Sequence, residues 1–334
     1  MSTQPLVLFL PPATLRSKYL STETEQRLRS FARVRYNELE RNLTAEEFVK
    51  ALEGVDACVT SWGSPPVNDQ TLAGADRLRL IAHAAGSVAN IAPAAFRHHI
   101  RVAHGAPVIA ESVAEYTILA MLLSLRQIVA EDAAMKAGTA PKVNWELGEY
   151  DLLGRTVGVV GASYVGRRVI ERLHPFHVQV LVYDPYLDEQ EASALGVRKV
   201  ELDDLCANSD IVSLHAPRLP STIKMIGARQ LGLLRTGAVL INTAAGALVD
   251  EAAMIAELRA GRLRAVLDVT DPEPPAPDSE LRRLPNVILT PHRAGVTADT
   301  RLRLGATMVE ELQRFFAGEP LRCEVQPNKI GRMA

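Results

Sequence analysis

His292 and Glu273 are the residues whose types and placement could do acid–base chemistry in this sequence. His292 follows the apolar run NVILTP, and Glu273 lies five residues past Asp268, where the run AVLDV ends in DPEPPAPDSE. A third stretch, GAVLINTAAGALVDE, leaves an apolar run at Asn242-Thr243-Ala244-Ala245-Gly246. Each polar group falls at the carboxyl end of a run of strand length, the edge at which open α/β sheets bind ligands. An imidazole and a carboxylate converging there form a general acid/base with an orienting partner, because the carboxylate stabilises the imidazolium form. Taken singly, His292 also reads as a polar residue satisfied after a strand, and Glu273 as a solvated charge.

The second chemical signal is RTVGVVGASYVGRRVIERL, Arg155 to Leu173. A strand runs into Gly161, then Ser163, Tyr164, Val165 and Gly166, and a helix follows. This is G-x-G-x-x-G with Ser163 in the second glycine position, a turn that lets backbone approach a pyrophosphate at a helix N-terminus. The pattern alone is also met in tight strand-to-helix turns. Its context strengthens it: the next strand, VQVLVYD, ends in Asp184, 18 residues after Gly166. An acid there accepts hydrogen bonds from an adenosine ribose and repels a 2′-phosphate, which selects NAD over NADP. Asp184 before Pro185 also suits an ordinary turn.

The elements that must position these groups alternate along the chain. Short continuous apolar runs predict strands at Leu6–Leu10, Ala57–Trp62, Leu78–Ala84, Thr156–Val160, Val178–Tyr183, Ile211–His215, Ala238–Thr243, Arg264–Val269 and Val287–Leu289. Continuous rather than alternating runs are expected of strands buried on both faces. Helical patterns lie between them at Thr44–Leu52, Arg168–Leu173, Ala228–Leu234 and Glu251–Ala260, with longer ones at Glu111–Gln127, Ala130–Ala137 and Ala298–Ala317. Strand–helix alternation predicts an α/β protein built on parallel sheets. The stretch AGTAPKVNWELGEYDLLGR reads as an irregular loop in which Trp145 is a packing anchor.

Length and composition bound the rest. The chain has 334 residues, enough for two domains of about 150 residues each. Lys plus Arg total 37 against 39 Asp plus Glu, which lacks the positive field of a nucleic-acid or anionic-membrane binder. Cys58, Cys206 and Cys323 lie far apart without a CxxC, so neither a disulfide framework nor a metal site is expected. The N-terminus lacks a basic region before its short apolar run. The longest apolar stretch, Ala114–Leu125, contains Glu115 and is shorter than a membrane span. A cytoplasmic protein follows as the expectation.

Across nearly its full length the chain resembles the D-isomer-specific 2-hydroxyacid dehydrogenases, a family that includes glycerate, phosphoglycerate, D-lactate and formate dehydrogenases. The matching pieces are AHAAGSVANI, SVAEYTILAMLLSLR, GRTVGVVGASYVGR, SDIVSLHAPRLPST, LRTGAVLINTAAGALVDE, LDVTDPEP and NVILTPHRAG. The resemblance implies two Rossmann-like or flavodoxin-like parallel-sheet domains with an interdomain cleft. Residues 1–105 with 297–334 would form the substrate domain and 106–296 the NAD-binding domain. It further implies a homodimer built through the NAD-binding domains and a small anionic 2-hydroxy or 2-oxo acid as substrate. Carried over by position, His292 matches the proton donor and Glu273 its partner carboxylate. Tyr164 and Val165 supply amides to the pyrophosphate, Asp184 meets the ribose, and Asp268 matches a nicotinamide-side contact. Pro217, Thr222, Thr243 and Ala244 line the cofactor, with His215 beside them, and Ala85, Gly86 and Ser87 correspond to the loop that holds the substrate carboxylate.

One position departs from the family pattern. The family has arginine where this chain has Ala245, and that arginine holds the substrate carboxylate and polarises the carbonyl. Alanine provides neither donors nor charge. Losing such a contact costs on the order of 3 kcal/mol, about a hundredfold in rate. The sequence leaves open a specialist whose substrate anion is held elsewhere, by Arg293 or Arg218 for example, an engineered replacement, and an NAD-binding protein with weak or no catalysis that acts as a sensor or interaction module.

Overall fold

The computed structural model describes residues 4–139 and 150–333, so Trp145 and most of its loop lie outside the described residues. The chain divides into two compact units, Met1–Ile109 with Val296–Ala334, and Ala110–Gly295. Each is an α/β unit around one parallel sheet.

The first unit has five strands: β1 (Leu6–Phe9), β2 (Arg33–Tyr36), β3 (Ala57–Thr60), β4 (Leu80–His83) and β5 (Arg101–His104), in the order β2-β1-β3-β4-β5. β3 and β4 are buried at every residue, which is why they read as unbroken apolar runs. β2 did not stand out in the sequence because it is RVRY. It is an edge strand whose arginines stay exposed, and its alternation hides it among charged loops. The helix Ala298–Ala317 packs Leu304, Met308, Val309 and Leu312 into this unit's core against Val7, Phe9, Ala57 and Ala82. Thr297 caps its start through the Thr300 amide, and Gly318, at φ 74°, ends it in the left-handed region.

The second unit has seven strands: β6 (Thr156–Val160), β7 (Gln179–Tyr183), β8 (Arg198–Lys199), β9 (Ile211–Leu214), β10 (Val239–Asn242), β11 (Arg264–Leu267) and β12 (Val287–Leu289). Their order, β12-β11-β10-β9-β6-β7-β8, reverses direction of growth between β9 and β6, as in doubly wound sheets. The sequence reading missed β8, which has only two residues.

Two helix boundaries differ from the sequence reading for identifiable reasons. The helix read from Arg168 begins at Tyr164, because Gly166 falls in its first turn instead of preceding it. The helix read from Glu111 spans Ala106–Leu125, because Pro107 is tolerated in a first turn where no intrahelical donor is lost. At 20 residues and mean hydropathy 1.6 this helix is long and apolar enough to cross a membrane, which corrects the length argument made from Ala114–Leu125. Half of it is buried within the protein, and Ala114, Ala120, Met121 and Leu125 pack with Val157, Val159 and Val169 as a core helix does.

Candidate functional site

Strand register in the second unit lines up the residues that could do chemistry. Tyr183 pairs with Val160, Val160 with Leu214, Leu214 with Asn242, Asn242 with Leu267, and Leu267 with Leu289. The next residue on each strand is therefore one of a row along the carboxyl edge: Asp184, Gly161, His215, Thr243, Asp268 and Thr290.

At the β6 end, Gly161 turns the chain at φ +97°, and a Cβ there would lie 2.7 Å from the Ala216 amide nitrogen. A Cβ on Gly166 would lie 2.0 Å from the Gly161 carbonyl oxygen, so helix and strand approach as closely as backbone allows. Ser163 caps the helix Tyr164–Leu173: its hydroxyl accepts from the Gly166 amide and donates to the His215 carbonyl at 2.9 Å. The second glycine of the motif is thus replaced by a residue that ties the turn to β9. Asp184 lies across the same turn, with Oδ2 accepting from the Ala162 amide at 2.7 Å and Oδ1 from the Tyr186 amide at 2.8 Å. Thr222 closes the loop after β9 by donating to the Pro217 carbonyl at 2.6 Å and accepting from the Leu219 amide.

In the middle of the row, His215 is buried, and burial pushes its imidazole down to about 3. Its Nε2 meets the Ser213 hydroxyl at 2.9 Å. The His215 Nδ1 and the Thr243 hydroxyl are buried without a hydrogen-bond partner among the described residues. Orphaned polar atoms of this kind call for a polar ligand or water. Asn242 shapes the turn that follows β10: its Nδ2 donates to the Ala245 carbonyl at 2.8 Å, and its Oδ1 accepts from the Ala244 and Ala245 amides. Ala245 is extended (φ −157°, ψ 136°) and half-buried. Gly246 is required by packing, since a Cβ would lie 2.1 Å from the Thr270 carbonyl carbon.

The far end of the row builds the acid–base pair. His292 Nδ1 and Glu273 Oε1 are 2.6 Å apart, and both side chains are about half exposed. His292 adopts φ +53°, an uncommon backbone state for a non-glycine residue. The buried Asp268 holds that turn: Oδ1 accepts from the Arg293 amide and the Thr290 hydroxyl, Oδ2 from the Ala294 amide, and its carbonyl from the His292 amide. The Tyr116 hydroxyl in turn meets Thr290 at 2.6 Å. Sequence reasoning missed Thr290 and Tyr116; the Thr-Pro before His292 was the available signal. The side chains of Arg218 and Arg293 are exposed, and no ion pair engages either among the described residues. In the first unit, Ala85, Gly86 and Ser87 follow β4. The Ala85 carbonyl there accepts from the Gly105 amide at 2.8 Å, and the Gly86 carbonyl meets His104 Nδ1 at 3.3 Å.

A doubly wound sheet with a glycine-rich first turn and an acid ending the second strand defines a dinucleotide-binding unit. Residues 118–294, just over half the chain, match the model of the D-isomer specific 2-hydroxyacid dehydrogenase, NAD binding domain. The chain is 33% identical over 290 residues to D-3-phosphoglycerate dehydrogenase of Archaeoglobus fulgidus, covering 85% of this chain and 54% of that one. It is 34% identical over 290 residues to glyoxylate reductase of Korarchaeum cryptofilum, covering 85% of each. A solved structure from Thermus thermophilus superposes with a TM-score of 0.78 at 31% identity, over 96% of this chain and all of that one. The chain belongs to the D-isomer-specific 2-hydroxyacid dehydrogenase family and carries its NAD-binding domain. It spans about half the length of the D-3-phosphoglycerate dehydrogenases it matches.

Proposed function

We propose that this chain is an NAD-dependent oxidoreductase interconverting a small D-2-hydroxy acid and its 2-oxo acid. The observation that carries this reading is the His292–Glu273 pair, 2.6 Å apart, on the same sheet edge as the Gly161–Gly166 turn. NAD suits the residues present. The glycine positions would be filled by any Cβ, the Tyr164 and Val165 amides open a helix of ten residues, and the Thr243 hydroxyl awaits a partner. Asp184 keeps lone pairs for a ribose hydroxyl after accepting its two amides. Pro217, Thr222, Ala244 and Asp268 complete the cofactor's surroundings in this reading. NADH supplies a hydride to C2 of the 2-oxo acid when bound. His292 donates the proton to the carbonyl oxygen, which becomes the hydroxyl, and takes it back in the reverse direction. Glu273 orients the ring and stabilises its protonated form. The backbone of Ala85, Gly86 and Ser87 receives the substrate carboxylate.

The chain is read as a cytoplasmic homodimer with no nucleic-acid or membrane partner. Leu119, Ile128, Val129, Met135 and Leu153 support a self-association surface, since each is exposed by half or more on the second unit.

Ala245 favours a second reading, an NAD-binding protein with weak catalysis that works as a sensor or interaction module. NADH absorbance with a panel of 2-oxo acids separates the two, measured on this chain and on Ala245→Arg. The extended backbone at 245 accepts arginine without strain, so the variant is expected to raise turnover by about a hundredfold. Cofactor binding by calorimetry without turnover in either form would establish the second reading.

A further inference from the structure

His104, a buried histidine of the first unit, has no part in the chemistry described so far. It ends β5 at the register position of His83, which ends β4, so it stands beside the chain as β4 runs on into Ala85, Gly86 and Ser87. Its Nδ1 lies 3.3 Å from the Gly86 carbonyl oxygen. A carbonyl only accepts, so Nδ1 carries the proton and donates it. The next residue, Gly105, donates its amide to the Ala85 carbonyl at 2.8 Å. A Cβ on Gly105 would lie 3.2 Å from that same oxygen and 2.1 Å from the end of the Leu304 side chain. Glycine at this position therefore lets the end of β5 close on the loop.

Two successive carbonyls of the loop are thus anchored to the end of β5. The peptide bonds 85–86 and 86–87 are trans, and a trans peptide points its C=O and N–H in opposite directions. Turning the Ala85 carbonyl toward Gly105 turns the Gly86 amide away from it. Turning the Gly86 carbonyl toward His104 does the same to the Ser87 amide. Neither amide meets an acceptor among the described residues. Successive amides freed in this way make a small anion-binding concavity. The Gly105 anchor is main chain, whereas the Gly86 anchor depends on the side chain at position 104.

His104 is itself held from outside. Its amide donates to the Cys323 carbonyl at 3.0 Å, and the Cys323 amide donates to the buried Glu311 carboxylate at 3.0 Å. The imidazole is therefore aimed from a fixed backbone.

We propose that His104 is a positioning residue that turns the Ser87 amide, beside that of Gly86, toward a carboxylate by holding the Gly86 carbonyl from behind. That this carboxylate is the substrate's rests on the dehydrogenase reading; the aiming of the amides does not. The bond needs a donor at the Nδ1 position. Asparagine places its Nδ2 close to that position, whereas the amide of glutamine lies one bond further out.

The test uses the full chain with NADH bound and oxalate as the probe, measured by calorimetry, for the unaltered protein and for His104→Leu, His104→Gln and His104→Asn. Oxalate is expected to bind the unaltered chain, and its affinity should fall by about fivefold or more in His104→Leu and His104→Gln. His104→Asn should keep oxalate affinity within about twofold, and NADH affinity should be unchanged throughout. For any 2-oxo acid that is turned over, His104→Gln should raise KM and change kcat far less, and His104→Asn should restore KM. Nitrogen NMR of the unaltered chain with isotope-labelled histidine should show the His104 ring protonated at Nδ1, a signal identified by its loss in His104→Asn. Absence of oxalate binding to the unaltered chain, equal binding by His104→Gln, a loss in His104→Asn as large as in His104→Gln, or a ring protonated at Nε2 alone overturns the proposal. The expected oxalate pattern with no 2-oxo acid turned over sustains the role of His104 and removes the dehydrogenase reading instead.

Discussion

At the scale of single residues, the candidate site depends on Asp268 as much as on the pair it supports. Its carboxylate collects two amides and a hydroxyl from residues 290–294, and so fixes the left-handed backbone that aims His292 at Glu273. Asp268→Ala would strand those donors, each costing about 1–3 kcal/mol where buried. Its melting temperature should therefore fall, and turnover should fall further than stability alone explains. Retained turnover in Asp268→Ala would show that the turn is held by other means. Glu273→Gln should lower kcat by one to two orders of magnitude without weakening NADH binding, because Glu273 acts on the ring and not on the cofactor. His292 and Glu273 were legible in the sequence because each follows an apolar strand. The work of Asp268 was not, because its partners are backbone amides that no residue type announces.

At the scale of elements, what positions the site is register. Six strands end in step, so the six residues that follow them share one edge. The sequence could place those strands because burial on both faces demands uninterrupted apolar runs. It could not show β2, whose arginines face solvent, or the true start of the helix Ala106–Leu125. That helix is apolar on all sides although only part of it is buried, and Leu119 stays half exposed. A helix of this kind calls for a second covering surface. If the chain self-associates through this surface as proposed, Leu119→Asp combined with Met135→Asp should sediment as a monomer in analytical ultracentrifugation while leaving the fold intact. A variant that sediments as the unaltered chain does would place the self-association surface elsewhere.

At the scale of the whole molecule, burial favours the neutral form of three histidines. Burial holds His83 down to about 4, with the neighbouring His104 adding to the effect, and His215 down to about 3; His104 is lowered as well. The unfolded chain binds protons at these sites from about pH 6.5 downward, whereas the folded chain does not. Stability is therefore whole above that pH, falls as the pH drops, and stops falling on account of His83 once pH 4 is passed. His83 alone contributes on the order of 3 kcal/mol to this loss. Urea unfolding midpoints should decline between about pH 6.5 and pH 4, and His83→Gln should flatten the decline. An unchanged slope would remove His83 from the account.

The most direct test of the central claim is NADH consumption with a panel of 2-oxo acids, run on this chain and on His292→Asn, with the configuration of the product determined. The expected result is slow turnover of at least one small 2-oxo acid to its D-2-hydroxy acid, with kcat falling by a factor of about 10² to 10⁴ in His292→Asn while NADH binding is kept. Turnover that survives in His292→Asn, or a product of L configuration, would contradict it.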